Sequence, residues 1–339
     1  MPMPDTAVGV DRWRRAVAAL VPTPPPHRQA TVDAAGARRL LRCDDEALAE
    51  LDRAGLATDT SDGARFDYYD LMNLGLLAGT GRSLPEIGER STMQVARGTR
   101  ADWAAEHTWH LRVEARCSRP ACPVPPVPPR PAPEEYGGRL VDWQPRPGGW
   151  TAATVTLRGA GGEVTSPAAR AAYAEVLEAL ASGRWVYAWL PPGLRADWPS
   201  AVANRTLDCV VASLLVQQRC RDAGLTARTR SGVILGVVGV AHAWTEVRER
   251  DGWRVLDPLL AYLAGRHPAS APDFADYCRG RLGNQVLPWP RRADEPLVPH
   301  DCPLAGTAVL TSRLTSPAGP AGGGRPAPPG GDPCPSRTA

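Results

Sequence analysis

Between Thr31 and about Arg97 the apolar residues recur at helical spacing in short blocks separated by polar breaks. Asp33 stands ahead of a run from Ala35 to Leu41, where a short acceptor side chain satisfies amide groups that a first helical turn leaves bare. A break at Cys43-Asp44-Asp45 precedes a second helix ending near Gly55, with Leu48 and Leu51 on one face. FDYYDLMNLGLLAG begins a third, with Asp67 or Asp70 near its start. Residues 31–97 therefore read as a small helical module whose helix, turn, helix order resembles a degenerate winged helix-turn-helix. Its second helix is acidic, a surface that repels phosphate, so recognition or packing suits it better than DNA binding.

Further along, the period changes. Ala153 to Arg158 reads as a strand, and Ser166 before Pro167 caps a helix running to Ala181. In LDCVVASLLVQQRC, Val210, Val211, Leu214 and Leu215 fit one buried helical face, which puts Thr206 or Asp208 at the N-cap and Cys209 in the first turn. VILGVVGVAHAWTEV is a strand region rich in β-branched residues, WRVLDP is the next strand, and RERDG between them is a turn. With Glu249 to Gly252 as the loop, Arg248 pairs with Trp253. The ladder then brings Asp257 opposite Trp244, on the face of His242 and diagonal to it.

The remaining segments are defined by composition. Residues 1–30, with Pro22, Pro24, Pro25 and Pro26, read as a loose arm. Residues 98–135 read as a connector, because eight of the fourteen residues from Pro120 to Pro133 are proline and such a run forms a stiff spacer. Residues 136–310 form one α+β domain. From 311 to 339 glycine and proline leave almost nothing to bury, so a disordered tail is expected. A net charge of +3 argues against nucleic acid as the main partner. All 39 basic residues are arginine, which excludes self-crosslinking through lysine. The N-terminal apolar run is too short for a signal-peptide core, and no window approaches a membrane span, so a cytoplasmic protein with no membrane partner is expected.

Cys209, His242 and Asp257 supply the parts of thiolate acyl chemistry. The first turn of a helix favours an anion at Cys209; an imidazole can take and return a proton, and a carboxylate can fix its tautomer and stabilise its cation. The surrounding words resemble the transglutaminase-like superfamily. They are Cys209 on a helix, Ala-Gly-Leu-x-Ala-Arg from Ala223 to Arg228, HAWTEV from His242 to Val247, and the tryptophan-x4-proline word from Trp253 to Pro258. The match covers roughly Trp185 to Leu263. It implies a papain-like cysteine-protease fold with Cys209 as nucleophile, His242 as general base and acid, and Asp257 as orienting carboxylate. It also implies a peptide or peptide-like substrate, as in bacterial leader peptidases and acyl-transfer enzymes of peptide natural-product assembly. No cofactor is implied, and no acidic calcium loop accompanies the words. For the oxyanion the backbone N–H of Cys209 offers one donor, and Trp185, Trp189, Trp198 or Asn204 could offer another. The alternative class is a non-catalytic regulatory protein that uses the 31–97 module to bind DNA or a partner.

Two other constellations carry less. His107, His110, Cys117 and Cys122 are zinc-type ligands, but proline crowding near Cys122 and the lack of a C-x2-C knuckle argue against a metal. Gly232, Gly236 and Gly239 lack the Lys-Ser/Thr word of a phosphate loop and are read as close packing of the strand that leads into His242.

Overall fold

A computed structural model describes residues 8–59, 63–117, 119, 122–147, 149–235, 240–302 and 308–315. The local helix signals act as their chemistry dictates. Asp33 caps Ala34–Leu41 by accepting from Gly36 N at 2.6 Å, and Asp44 caps Asp45–Arg53 by accepting from Ala47 N at 2.8 Å. Asp67 rather than Asp70 caps Tyr68–Ala78, taking the amides of Tyr69 and Asp70, both at 2.9 Å. Strands Ala30–Asp33, Thr58–Asp59 and Arg65–Asp67 complete this module as a three-stranded sheet with Arg65–Asp67 in the middle.

The loose arm expected over residues 1–30 is corrected from residue 8 onward, residues 1–7 lying outside the described residues. Val10–Ala19 is a helix whose Trp13, 2% exposed, packs with Ala16 and Val17 into a core shared with Leu41, Leu51, Leu71 and Leu74. The prolines that suggested looseness follow a fixed path. Thr23 donates from N and Oγ1 to buried Asp70 Oδ1 at 2.9 and 2.8 Å, and Asn204 Nδ2 donates to Pro22 O at 3.2 Å. Proline restricts the backbone; whether a proline segment is held depends on what its carbonyls and neighbours meet.

Two four-stranded antiparallel sheets dominate the rest, beside two short two-stranded pairs. One runs Gly252–Leu256, Val240–Glu249, Ala227–Ile234, Val286–Trp289; the other runs Ala308–Thr315, Glu106–Cys117, Trp150–Arg158, Arg139–Arg146. They share a core in which Leu111, Val113, Val155 and Leu157 meet Val233, Leu235, Leu287 and Trp289. Helix Cys209–Asp222 packs on the first sheet, and helices Pro167–Ala181 and Pro258–Gly265 pack against it and each other, in a core that includes Val176, Leu215, Val247 and Leu256. The chain is thus mixed α and β, as expected.

Segment boundaries differ from the expectation in two places. Residues 98–135 are no mere connector: helix Arg100–Ala104 buries Trp103 against Phe274 and Tyr277, and Glu106–Cys117 is an inner strand. The proline run itself is docked, with Trp289 Nε1 donating to Pro129 O at 2.7 Å and Ala132 N to Pro288 O at 2.9 Å. Residues 311–315 of the expected tail belong to a strand, and 316–339 lie outside the described residues. Among the described residues no helix is long and apolar enough to cross a membrane.

The buried N-terminal helix makes a test of its own. Trp13→Ala is expected to cost about 3–5 kcal/mol, as for other large core truncations, read by denaturant unfolding. A loss under about 1 kcal/mol would mean that the arm is loose after all.

Candidate active site

Three local structures deliver the three predicted side chains. Cys209 is the first residue of helix Cys209–Asp222, capped by Asp208, whose Oδ1 accepts from Val211 N at 3.0 Å. The helix stops where Gly224, at φ +76°, takes the left-handed turn that L side chains resist, and Leu225 N closes on Cys220 O at 2.9 Å. That turn is the Ala-Gly-Leu part of the sequence word. His242 stands near the start of strand Val240–Glu249. Asp257 follows strand Gly252–Leu256 directly and caps helix Pro258–Gly265, its Oδ1 accepting from Leu260 N at 2.9 Å.

The hairpin register is the one the turn signal implies: Arg248 pairs with Trp253, and the ladder continues to Thr245 opposite Leu256. The loop is tighter than drawn from sequence, because Glu249 and Gly252 themselves pair, leaving Arg250 and Asp251 as the turn. The next residue, Asp257, reaches the imidazole, with His242 Nε2 2.5 Å from Asp257 Oδ2. His242 is 7% and Asp257 4% exposed, while Cys209 is half-buried. Burial opposes charge on the imidazole, but the carboxylate of Asp257, its hydrogen bond, and the hydrogen bond and charge of the Cys209 sulfur outweigh it and raise His242 above its ordinary range. The structure therefore brings His242 and Asp257 into direct contact, with the Cys209 sulfur near enough to act on the imidazole.

The strand region read as continuous from Val233 to Val247 is corrected to two antiparallel strands, Ala227–Ile234 and Val240–Glu249. Gly232 does not lead into His242 but sits opposite it on the neighbouring strand. A Cβ at Gly232 would fall 2.5 Å from Leu287 O and 2.6 Å from the Trp244 ring, so only glycine leaves room for that indole. Gly236 and Gly239 lie outside the described residues. Trp244 in turn stacks near His242, with ring centres 6.1 Å apart, and its Nε1 donates to buried Glu246 Oε1 at 3.3 Å. Burial pushes the Glu246 carboxyl up, with Glu135 adding to the effect. Its oxygens nevertheless meet Arg228 Nε at 2.6 Å and Arg230 Nε at 3.4 Å, contacts that favour the carboxylate.

Sequence reasoning missed two groups beside Cys209. Arg195 is paired with Asp208; burial opposes its charge, but Asp208 and the Cys209 sulfur more than restore it. Tyr187 is carried there by the parallel pairing of Val186–Tyr187 with Thr206–Leu207, two residues ahead of Cys209. Burial raises its hydroxyl foremost, followed by the charges of Cys209 and Glu89. A two-residue parallel bridge leaves no periodicity, so no sequence signal could have found it. Of the oxyanion candidates, Asn204 is spent on Pro22 O, and Trp185 is 8% exposed within the core. Trp189 packs its ring on Tyr68 and Tyr69, and Trp198 is partly buried against the main core.

The 31–97 module forms part of the same face. Asn73 brackets the Trp189 backbone, donating Nδ2 to Trp189 O at 3.0 Å and accepting Trp189 N at 2.7 Å. On helix Leu84–Ala96, a Cβ at Gly88 would lie 3.8 Å from Val240 Cγ1 and 3.9 Å from the Tyr187 hydroxyl. The neighbouring Glu89 is joined to Arg266 at 2.6 Å.

No protein-family model matches the chain, and no curated protein matches it. Among solved structures the chain is similar to one from Cytophaga hutchinsonii, named as a "putative cysteine protease", at 11% identity over 63% of this chain and 90% of that one, with a TM-score of 0.24. A score that low carries no weight for fold or function.

Because His242 is raised in the folded state, its charged form stabilises the fold below the ~6.5 of a free imidazole, and that contribution fades as pH rises through the folded value. Asp257→Asn removes the charge that raises it. The imidazole midpoint, followed by NMR, is expected to fall by one unit or more, about 1.4 kcal/mol of lost pairing. An unchanged midpoint would show that Asp257 does not hold the imidazolium.

Proposed function

We propose that the protein is a cysteine-dependent acyl-transfer enzyme of transglutaminase-like type, acting on an amide or ester carbonyl of a peptide or peptide-like substrate. The observation that carries this reading is the buried His242 imidazole, hydrogen-bonded to Asp257 and raised above its ordinary range by that carboxylate and by the nearby Cys209 sulfur. The Cys209 thiolate attacks the carbonyl carbon, and the tetrahedral oxyanion collapses. As the C–N or C–O bond breaks, the His242 imidazolium gives its proton to the leaving amine or alcohol. Water or an amine then attacks the thioester, His242 takes the incoming proton, and the thiolate is restored. Asp257 does not change protonation; it keeps Nε2 engaged so that the other ring nitrogen serves the sulfur.

The packing of the 31–97 module against the Trp189 segment supports a role for it in presenting the substrate. Its order of strand, two helices and strand pair resembles a winged helix. Its second helix exposes Asp45, Glu46 and Asp52, which disfavours the regulatory DNA-binding alternative.

Limiting iodoacetamide with peptide mapping over a range of pH tests the reading. Cys220 is the internal control, since it is buried in the same helix and burial pushes its thiol up to about 11. Cys209 is expected to alkylate at least tenfold faster, and His242→Ala to abolish that lead. Equal rates for Cys209 and Cys220 would overturn the enzyme reading. With a peptide library as substrate, Cys209→Ala is expected to lose all turnover, and added amines that divert the acyl group would separate transfer from hydrolysis.

A further inference from the structure

Four metal-type ligands from two distant stretches of sequence converge at one end of the second sheet. Cys117 is the last residue of strand Glu106–Cys117, and Cys122 stands at the start of the proline run. His300 and Cys302 precede strand Ala308–Thr315, whose first residue pairs with Cys117. One ligand atom from each residue lies within 4.8 Å of the other three. Cys122 Sγ is 3.5 Å from His300 Nε2 and 3.5 Å from Cys302 Sγ. All four side chains are partly buried.

The spacing has a simple physical reading. Ligands held about 2.0–2.3 Å from a tetrahedral ion stand roughly 3.4–3.8 Å from one another. The Cys122 distances fall in that range, and the wider ones close with small side-chain rotations. A disulfide requires sulfurs about 2.05 Å apart, and it would leave a third thiol and an imidazole gathered without purpose. Arg119 N donates to Cys117 Sγ at 3.4 Å, a backbone contact that orients the sulfur. Sequence offered His107 and His110 as partners for these cysteines, but the fold sends them elsewhere. His107 packs its ring at a tilt against Trp109, and His110 Nδ1 lies 3.2 Å from Thr154 Oγ1.

We propose that Cys117, Cys122, His300 and Cys302 bind one zinc ion as a structural site. Three sulfurs and one imidazole are a soft donor set that selects zinc over magnesium or calcium. With all four positions supplied by the protein, no coordination place is left for a substrate, so the ion staples rather than reacts. Binding releases the thiol protons to solvent, and Cys122 exchanges its present 3.1 Å contact with Val124 O for the metal. The staple joins the 300–302 segment to the inner strand and anchors the entry to the proline run. Its role is independent of Cys209.

The test is metal content of the full chain, purified without chelators or metal-affinity resin. About one zinc per chain is expected, and a Cys122→Ser/Cys302→Ser double variant should retain under roughly a tenth of it. Cys43→Ser, distant in the fold, should retain all of it. Should the double variant fail to fold, cobalt titration of the zinc-stripped wild-type chain decides instead, since tetrahedral thiolate-bound cobalt absorbs visible light strongly. Zinc near zero with no cobalt absorption would overturn the proposal. So would an intact mass two hydrogens light from a Cys122–Cys302 disulfide in the freshly isolated protein.

Discussion

The architecture around the candidate site depends on one carboxylate with two partners. Asp257 spends Oδ1 on the first turn of helix Pro258–Gly265 and Oδ2 on His242, while its own N–H is held by Cys278 O at 3.0 Å. Each contact is ordinary alone. Together they fix the side chain so that it cannot turn toward one partner without abandoning the other, and the helix N-terminus favours the negative charge that the imidazole needs. Cys209 is held with the same economy on the other side. Its helix is capped by Asp208, which is itself clamped by half-buried Arg195, and Thr245 Oγ1 binds Ser213 O at 2.6 Å one turn further on. The helix and the histidine strand are therefore joined close to the sulfur, not only through their shared apolar core.

The N-terminal module is built into this arrangement rather than tethered to it. Asn73 replaces a strand neighbour for the Trp189 backbone by satisfying both its N–H and its C=O. Buried backbone groups without partners are costly, so this segment, which carries Tyr187 to the site, is shaped by a residue of the module. Helix Leu84–Ala96 then covers the same region with its glycine turned inward.

What could be read in the sequence was whatever is decided locally. The caps at Asp33, Asp67, Ser166 and Asp208 follow from side chains that reach only a few residues ahead, and the hairpin register follows from a two-residue turn. The Cys209, His242 and Asp257 set was legible for the same reason, since each residue sits at the start or end of an element whose boundary is marked. What failed was decided at long range. The prolines of 22–26 and 120–133 signal a stiff backbone truthfully, but docking through Thr23, Pro129 and Ala132 depends on partners far along the chain. Likewise Cys117 and Cys122 carry no hint of His300 and Cys302, which chain folding alone brings to them.

The pairing of Ala308–Thr315 with Glu106–Cys117 has a consequence in time as well as in space. The partner strand is made nearly two hundred residues before its neighbour, and pairings of such separation are slow because a large loop must close before any contact rewards it. During synthesis the inner strand is flanked on one side only, by Trp150–Arg158, and its other edge stays open until residues 308–315 emerge. An open edge of that kind is where chains join one another by mistake. The covering of that edge comes late in synthesis, and the interval just before it is the one most open to mispairing.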